Sequence, residues 1–423
     1  MVKFNTAAEA ADWINGSRWK GEKHGLQNTR ALLSALGSPD KRMGKILHVA
    51  GTNGKGSTCA YLDGALRACG YKVGLFTSPY LRCFNERIMF DGKPIPDEEL
   101  MDVAARVREK AEELAEQDIR CTTFELLTAC ACLYYADKRA DYSVMEVGMG
   151  GMFDSTNVLD TTVTLVAAIG MDHMKVLGNT EEEIAFQKAG IFKPSVPALV
   201  MPGKDSVMEV FRARAREVNA PFRICDEGRV LLYEADKTVF QCKLPTGETV
   251  TQTIRVPGLH QIKNASLALS ALSLLGIDMH KACRGVSQTV WAGRLDKRGN
   301  VLVDCGHNPQ GANTLKSYVD RFFADKRKVV VTGMMQDKQI EACSKIFASF
   351  ADAVVATAVD WPRALAPELL AEYYKDKEVY AVEGVKNAFE KAKELAGEDG
   401  IVIACGSVYI AGAVIDLIEE RKA

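Results

Sequence analysis

A short apolar run, a glycine-rich loop and a helical pattern follow one another in residues 45–58, KILHVAGTNGKGST. The run 45–50 predicts a buried strand, and the apolar spacing of residues 56–70 predicts a helix. Gly51, Gly54 and Gly56 let the backbone between these elements approach a ligand closely, and the amides at the helix N-terminus favour an anion. The sequence therefore predicts an α/β fold with an anion site where this strand ends.

The loop departs from the usual phosphate loop, G-x-x-x-x-G-K-[ST]. Gly56 follows Lys55 where a hydroxyl residue is expected, Ser57 comes one place later, and Val49 replaces the first glycine. A glycine-rich turn without a ligand is the alternative interpretation. Three glycines and one lysine in this context favour a nucleotide, with Lys55 at the outer phosphates.

Apolar strand patterns alternate with amphipathic helix patterns along most of the chain, which is typical of a sheet covered by helices. Further strands are predicted at 71–78, 141–147, 162–169, 301–305, 328–333, 352–358, 378–383 and 400–406. Helices are predicted at 97–117, 122–137, 180–191 and 260–276. Short alternating runs from Pro221 to Pro257 predict a small antiparallel appendage. A break near residue 297 predicts two domains, 1–297 and a smaller 298–423, with a site in the cleft between them.

Composition excludes several kinds of partner. A net charge of −2 gives no electrostatic reason to expect nucleic acid or an anionic membrane. No apolar run approaches the roughly 20 residues that span a bilayer, and the polar N-terminus lacks the core of a signal peptide. The 12 cysteines include no C-x-x-C pair, so we expect buried thiols in a reducing cytoplasm and no zinc site.

Two oxygen-bearing side chains lie at predicted strand ends. Glu146, in MEVGMGG, is a carboxylate in an apolar strand, where a charge is costly unless it is paired or binds a metal. We favour a metal over a buried ion pair. Ser78 ends the strand 71–78, and a simple turn role before Pro79 is an equal alternative. Magnesium near phosphates needs such oxygen ligands.

The residues themselves leave two further candidates open. His173, just past the strand 162–169, is interpreted alone as a loop residue with a satisfied hydrogen bond rather than as a ligand. Lys188 is either a solvated helical lysine or, because its neighbours are apolar, a desolvated amine with a lowered pKa.

The second domain carries its own polar strand end, VLVDCGHNPQG, with Asp304 and His307. Arg294 stands at the domain junction, where a guanidinium could reach a phosphate across the cleft. The last predicted strand lacks G-x-G-x-x-G, so we expect no dinucleotide there.

The ordered motifs resemble the folylpolyglutamate synthase / dihydrofolate synthase family, a branch of the Mur ligase superfamily. They are HVAGTNGKGST, FTSPYLRCFNERI, MEVGMGGMFDSTNV, IGMDHMKVLGNTEEEIAFQKAGIFK, HQIKNASLAL, WAGRLD, DCGHNPQGA and GSVYIAG. The resemblance runs from about Gly25 to the last helix, and the family's loop shares the irregular spacing. It implies a three-layer P-loop ATPase domain followed by a Rossmann-like domain. It also implies an ATP-dependent ligase that adds L-glutamate to reduced folates and to dihydropteroate through an acyl phosphate.

The resemblance also implies roles for individual residues. ATP contacts are expected from Thr52, Asn53, Gly54, Lys55, Gly56, Ser57, Asn264, Arg294 and Asp304. Magnesium ligands are expected at Ser78, Glu146 and His173. Lys188 matches a lysine that is carbamylated and could support a second cation, and His307 lies near the transferred phosphate, so both join Lys55 as catalytic candidates. The pterin substrate is expected at Thr122, Thr123, Phe124, Phe153 and Asp154. We expect a monomer.

Four positions depart from the family pattern: Tyr80, Met152, Phe153 and Ala292. The first three lie on the substrate side, so the preferred pterin and glutamate number stay open. Two rival functions remain. One is a Mur-type ligase acting on a cell-wall nucleotide precursor, and the other is a nucleotide-binding regulatory module, which needs no second substrate site.

Overall fold

A computed structural model describes residues 3–16 and 25–420. The helices are α1 (Ala7–Gly16), α2 (Gln27–Ala35), α3 (Lys55–Ala68), α4 (Asp97–Ala115), α5 (Thr123–Asp137), α6 (Met174–Leu177), α7 (Glu181–Ala189), α8 (Asp205–Glu217), α9 (His260–Leu274), α10 (Met279–Gln288), α11 (Pro309–Phe322), α12 (Ile340–Ala348), α13 (Pro367–Ala371), α14 (Val385–Ala396) and α15 (Val408–Glu420). The strands are β1 (Lys45–Ala50), β2 (Val73–Phe76), β3 (Ile88–Phe90), β4 (Lys93–Pro94), β5 (Tyr142–Glu146), β6 (Val163–Val166), β7 (Ala198–Val200), β8 (Phe222–Ile224), β9 (Arg229–Tyr233), β10 (Thr238–Lys243), β11 (Thr249–Ile254), β12 (Asp296–Arg298), β13 (Val301–Val303), β14 (Lys328–Thr332), β15 (Ala353–Ala356), β16 (Glu378–Ala381) and β17 (Ile401–Cys405).

The first sheet has the order β4-β3-β2-β5-β1-β6-β7-β8. Its strands β2, β5, β1, β6, β7 and β8 run parallel to one another. Successive side chains of β1 enter different cores: Ile46 packs with α1, α2, α4 and α5, whereas Leu47 and Val49 pack with α3, α9 and α10. Burial on both faces explains why the central strands are mostly apolar. The predicted three-layer α/β architecture is confirmed.

The appendage is smaller than predicted. Only β9, β10 and β11 form the antiparallel three-stranded sheet. Residues 222–224 were assigned to the appendage, but β8 pairs in parallel with β7 of the main sheet. The helix α8 between these strands supplies the crossover that a parallel neighbour needs, and short strands of this kind carry no pattern that distinguishes the two pairings.

The second sheet has the order β12-β13-β17-β14-β15-β16. Its strands are parallel except β12, which pairs antiparallel with β13 through Asp296 and Val303. The boundary at 297/298 falls inside β12 and stays a prediction. Residues 1–2, 17–24 and 421–423 of the two predicted domains lie outside the described part.

The two sheets' domains are in close contact through both polar and apolar side chains. Arg82 of the loop after β2 bonds Asp416 of α15 at 2.5 Å and Glu419 at 2.6 Å. A Cβ on Gly412 would lie 1.9 Å from the Leu81 carbonyl oxygen, so this loop rests directly on α15. Within residues 3–16 and 25–420, no helix is long and apolar enough to cross a membrane.

Candidate active site

A cavity of about 620 Å³ lies at the carboxyl ends of strands from both sheets. This is where ligands bind in open α/β sheets. The first domain contributes Gly51, Thr52, Asn53, Gly54, Lys55, Gly56, Ser57, Ser78, Glu146, His173, Lys188 and Asn264 to its lining, and the junction and second domain contribute Arg294, Asp304 and His307. The structure thus brings together the nucleotide, metal and catalytic candidates, and their individual roles stay predictions.

The glycine-rich loop has the shape of an anion cradle. Gly54 has φ 88°, and a Cβ there would lie 2.2 Å from Oδ1 of Asn264. The amides of Thr52 and Asn53 both donate to the carbonyl of Ala168, which anchors the loop on the strand end next to it. Gly54 is the N-cap of α3 and has no side chain to bond the first amides of the helix, and Lys55, Gly56 and Ser57 of this first turn line the cavity.

Glu146 is held at the end of β5 beside this loop. Its side chain is 5% exposed, Lys55 Nζ lies 3.9 Å from Oε1, and the Ser78 amide donates to Oε2 at 3.1 Å. Burial raises the pKa of Glu146, and the Lys55 charge opposes that rise. Both alternatives for Glu146 therefore have support, because the carboxylate has a lysine partner and also lines the cavity.

The donor set fits magnesium without a dense protein cage. In the described ranges, no group of three or more His, Cys, Asp or Glu side chains could hold a metal. Magnesium keeps several waters and is usually held by one or two carboxylates together with substrate phosphates. Glu146 with the Ser78 hydroxyl, beside a phosphate cradle, matches that requirement.

His173 precedes α6 as its N-cap and has the left-handed conformation, with φ 50°. Its Nε2 lies 3.9 Å from the Asp172 carboxylate, and 40% of the side chain is exposed. Partial burial lowers the pKa of His173 to about 4, so its imidazole is neutral near pH 7. A neutral imidazole is the form that binds metals.

Lys188 is buried in α7, with 4% of the residue exposed. Its Nζ donates to the Gly51 carbonyl at 2.8 Å. Burial, together with the nearby Lys55 charge, lowers the pKa of Lys188 to about 7. The structure supports the desolvated alternative and contradicts the solvated helical lysine.

Asp304 and Arg294 meet at the domain junction. Asp304 is buried, and its two carboxylate oxygens accept from the Leu295 amide at 3.0 Å and the Gly306 amide at 2.8 Å. It therefore ties the segment carrying Arg294 to the strand end carrying His307. Arg294 NH1 donates to the Gly293 carbonyl at 3.3 Å, and the residue lines the cavity.

A cross-domain charge cluster escaped the sequence analysis. Asp172 Oδ1 lies 2.9 Å from Lys338 Nζ, and Oδ2 lies 3.6 Å from His307 Nε2. Burial opposes ionisation of Asp172, but His307 and Lys338 outweigh it and hold the pKa of that carboxyl well below its usual range. Lys338 follows β14, so the strand-end rule that found Ser78 could also have found it.

Three predicted pterin residues lie at the start of α5, outside the cavity lining. Thr122 and Glu125 form a capping box, in which the Thr122 amide donates to Glu125 Oε2 at 2.8 Å. Thr123 donates its hydroxyl to the Asn15 carbonyl at 3.3 Å. The Phe124 ring lies 5.7 Å from that of Phe76. Thr122 and Thr123 thus have local structural partners, and the substrate role of all three stays a prediction.

The other two predicted pterin residues follow Glu146. Phe153 is 52% exposed, whereas Asp154 is buried. Asp154 accepts from the Met149 amide and the Thr156 amide, both at 3.0 Å. The Thr156 hydroxyl also donates to Asp154 at 2.5 Å and lies 2.8 Å from His48 Nε2. Asp154 therefore shapes the turn that carries Met149 to the cavity, and its contact with substrate stays a prediction.

Two family models match the two parts of this architecture. The Mur ligase middle domain matches residues 49–272, and the Mur ligase glutamate ligase domain matches residues 293–408. Fold and site together define the class of Mur-type ATP-dependent ligases.

Individual relatives narrow the class. The Bacillus subtilis dihydrofolate synthase/folylpolyglutamate synthase is 35% identical over 96% of this chain and 97% of its own. The Escherichia coli FolC structure in complex with DHPP and ADP has a TM-score of 0.88 at 28% identity, covering 99% of both chains. The Mycobacterium tuberculosis folylpolyglutamate synthase complexed with ADP has a TM-score of 0.90 at 30% identity, covering 97% of this chain and 99% of that one. The chain belongs to the dihydrofolate synthase/folylpolyglutamate synthase family.

Proposed function

We propose that this enzyme uses ATP to join L-glutamate to folates and to dihydropteroate. The observation that carries the proposal is the single cavity in which Lys55, Ser78 and Glu146 of one domain face Arg294 and His307 of the other. The relatives' names point to the same pair of acceptors, since the Bacillus subtilis relative is named for both synthase activities.

The reaction begins when the acceptor carboxylate attacks the γ-phosphorus of ATP. A carboxylate–phosphorus bond forms, the bond to the ADP oxygen breaks, and an acyl phosphate results. Lys55 and Arg294 supply positive charge where the transferred phosphoryl group becomes more negative, and His307 of the second domain lines the same cavity. The loop 51–57 holds the outer phosphates through the first amides of α3.

The second step makes the amide. The glutamate amine attacks the acyl carbon, loses a proton, and inorganic phosphate leaves with the bonding electron pair. Free water would hydrolyse the acyl phosphate, so the reaction needs the two domains to close around it. The Asp172 contacts with His307 and Lys338 hold the domains together at the edge of the cavity.

Ser78, Glu146 and His173 would hold magnesium beside the phosphates. When bound, magnesium neutralises developing charge on the phosphate oxygens. Lys188 would carry a carbamate, because a buried amine with a pKa of about 7 is about half neutral near pH 7, and the nitrogen of the neutral form can attack carbon dioxide with loss of a proton. The resulting anion could support a second cation. Glutamate as the amine substrate, the monomeric state and the cytoplasmic location stay predictions.

Lys55→Ala tests the assignment of the loop. The expected result is a fall in kcat of about 100-fold or more, because a charge aimed at the transferred phosphoryl group is lost. Phosphate release and the glutamylated product are measured together, with circular dichroism to check the fold. Lys93→Ala, on the exposed strand β4, is the matched control and should behave as wild type.

Normal ligation by Lys55→Ala would contradict the proposal. Phosphate release that needs neither a pterin acid nor glutamate would favour the regulatory module instead. Product from a cell-wall nucleotide precursor, and none from a pterin acid, would favour the other Mur-type ligases.

A further inference from the structure

Arg87 is a partly buried guanidinium without a carboxylate within ion-pair distance, although the charge of Glu146 acts on it from further away. It ends the short 3-10 helix Phe84–Arg87, in the loop 78–87 that leads from β2 to β3. Its Cζ lies 5.1 Å from the ring centre of Tyr80 and 5.8 Å from that of Phe84. Its Nε is buried and has no hydrogen-bond partner. Among the ion pairs of the described residues, none involves Arg87.

A second arginine in the same loop shows how differently such a side chain can be placed. Arg82 bonds both Asp416 and Glu419 and is 40% exposed. Arg87 is less exposed to water than Arg82 and has no carboxylate within ion-pair distance, and burial lowers its pKa. Removing a guanidinium from water is costly unless an anion compensates. Its planar fork fits a carboxylate through two parallel hydrogen bonds, so a carboxylate ligand would supply what the protein does not.

Arg87 lies between two parts of the site. On one side, Phe84 belongs to the buried cluster that contains Phe76, and Phe76 packs on Phe124, where the pterin is expected. On the other side, Ser78 of the same loop bonds Glu146 at the edge of the cavity. Arg87 is not among the residues that line the cavity, but its loop joins the two regions, and the charge of Glu146 acts on its guanidinium.

The two proposed acceptors differ in charge at this point. Dihydropteroate offers one carboxylate, and that carboxylate is activated. A folate ends in glutamate, which carries two carboxylates, so one remains a spectator anion while the other reacts. We propose that Arg87 binds the spectator carboxylate of a folate acceptor and so sets the preference for glutamylated acceptors over dihydropteroate. This inference rests on the proposed function.

The test is a cycle of two proteins and two acceptors. Wild type and Arg87→Gln are assayed with tetrahydrofolate and with its analogue in which the spectator carboxylate is a carboxamide. For tetrahydrofolate, kcat/KM should fall about 10- to 100-fold in Arg87→Gln, as expected for a lost charge-assisted hydrogen bond. The carboxamide should lower wild-type kcat/KM by a similar factor, and the two changes together should be no worse than either alone.

Matched variants separate this role from a structural one. Arg106 lies on α4 and pairs with Asp137 at 2.6 Å. Arg106→Gln should leave kcat/KM unchanged for tetrahydrofolate and for its carboxamide. Arg87→Lys should recover part of the loss, because it keeps the charge without the fork. Titration calorimetry of tetrahydrofolate against its carboxamide, with Arg87→Lys, gives the same comparison if Arg87→Gln folds poorly.

Several outcomes would overturn the inference. Equal losses with tetrahydrofolate and its carboxamide would mean that Arg87 does not meet the spectator carboxylate. A raised KM for free glutamate with every acceptor would place Arg87 at the incoming amino acid instead. An unchanged kcat/KM in Arg87→Gln would show that Arg87 has no role in binding the acceptor. A wild type that glutamylates no pterin acid would refute the proposed function itself, and that result is visible before any variant is made.

Discussion

The buried amine of Lys188 should make the free energy of unfolding depend on pH. In the unfolded chain this lysine has a pKa near 10.5, and in the folded protein burial lowers the pKa to about 7. Between these values the unfolded state holds more protons, so stability rises as pH rises. Below about pH 7 both states are protonated, and the contribution is flat at its least favourable level.

The size of this effect follows from the shift. Each pKa unit corresponds to about 1.4 kcal/mol, so the full shift corresponds to about 5 kcal/mol. Between pH 7 and pH 9, wild type should gain about 2 to 3 kcal/mol relative to Lys188→Met. The variant also loses the hydrogen bond to Gly51, but that loss does not change with pH.

Urea unfolding of both proteins from pH 6 to pH 9.5, in buffers free of carbon dioxide, measures the difference directly. A difference that rises from about pH 7 supports the account. A difference that stays constant over the whole range would show that Lys188 keeps its proton in the folded protein, and the basis for carbamylation would be lost.

Two further predictions concern the carboxylates of Asp172 and Asp154. Lys338→Met should lower the free energy of unfolding by about 1 to 3 kcal/mol and reduce kcat, because Asp172 loses its closest cation and keeps as partners only His307 and the amide and ring of His173; unchanged values in urea unfolding and phosphate release at pH 7 would contradict this. Asp154→Asn should also lower stability by about 1 to 3 kcal/mol and raise KM for the pterin acid, because an amide cannot accept from both the Met149 and Thr156 groups as the carboxylate does. A raised KM without any loss of stability would instead favour a direct substrate contact.

The meeting of the phosphate and metal candidates was predictable from the sequence. Ser78, Glu146 and the loop after β1 each follow a short apolar strand, and carboxyl ends of parallel strands share one edge of a sheet. The structure places β2, β5 and β1 side by side, which brings the three groups together. The desolvation of Lys188 could be suspected from its apolar neighbours, but its hydrogen bond to Gly51 could not.

Features that depend on contacts between distant residues could not be predicted from the sequence. Asp172 and Lys338 are 166 residues apart, and nothing local shows that they meet. The absence of a carboxylate beside Arg87 is likewise a property of packing, since Glu86 precedes it directly in the chain and instead accepts from the amides of Leu81 and Arg82. Strand β8 joined the main sheet because β7 offered a free edge, which three residues of sequence do not reveal.

The central claim is ATP-driven glutamylation of two kinds of pterin acid. Its most direct test measures phosphate release and amide product with dihydropteroate and with tetrahydrofolate, each with and without L-glutamate. The account predicts product with both acceptors, and rapid phosphate release only when acceptor and glutamate are both present. Product with dihydropteroate but not with tetrahydrofolate, when glutamate is present, would refute the double activity. Phosphate release without any pterin acid would contradict the ligase reaction itself.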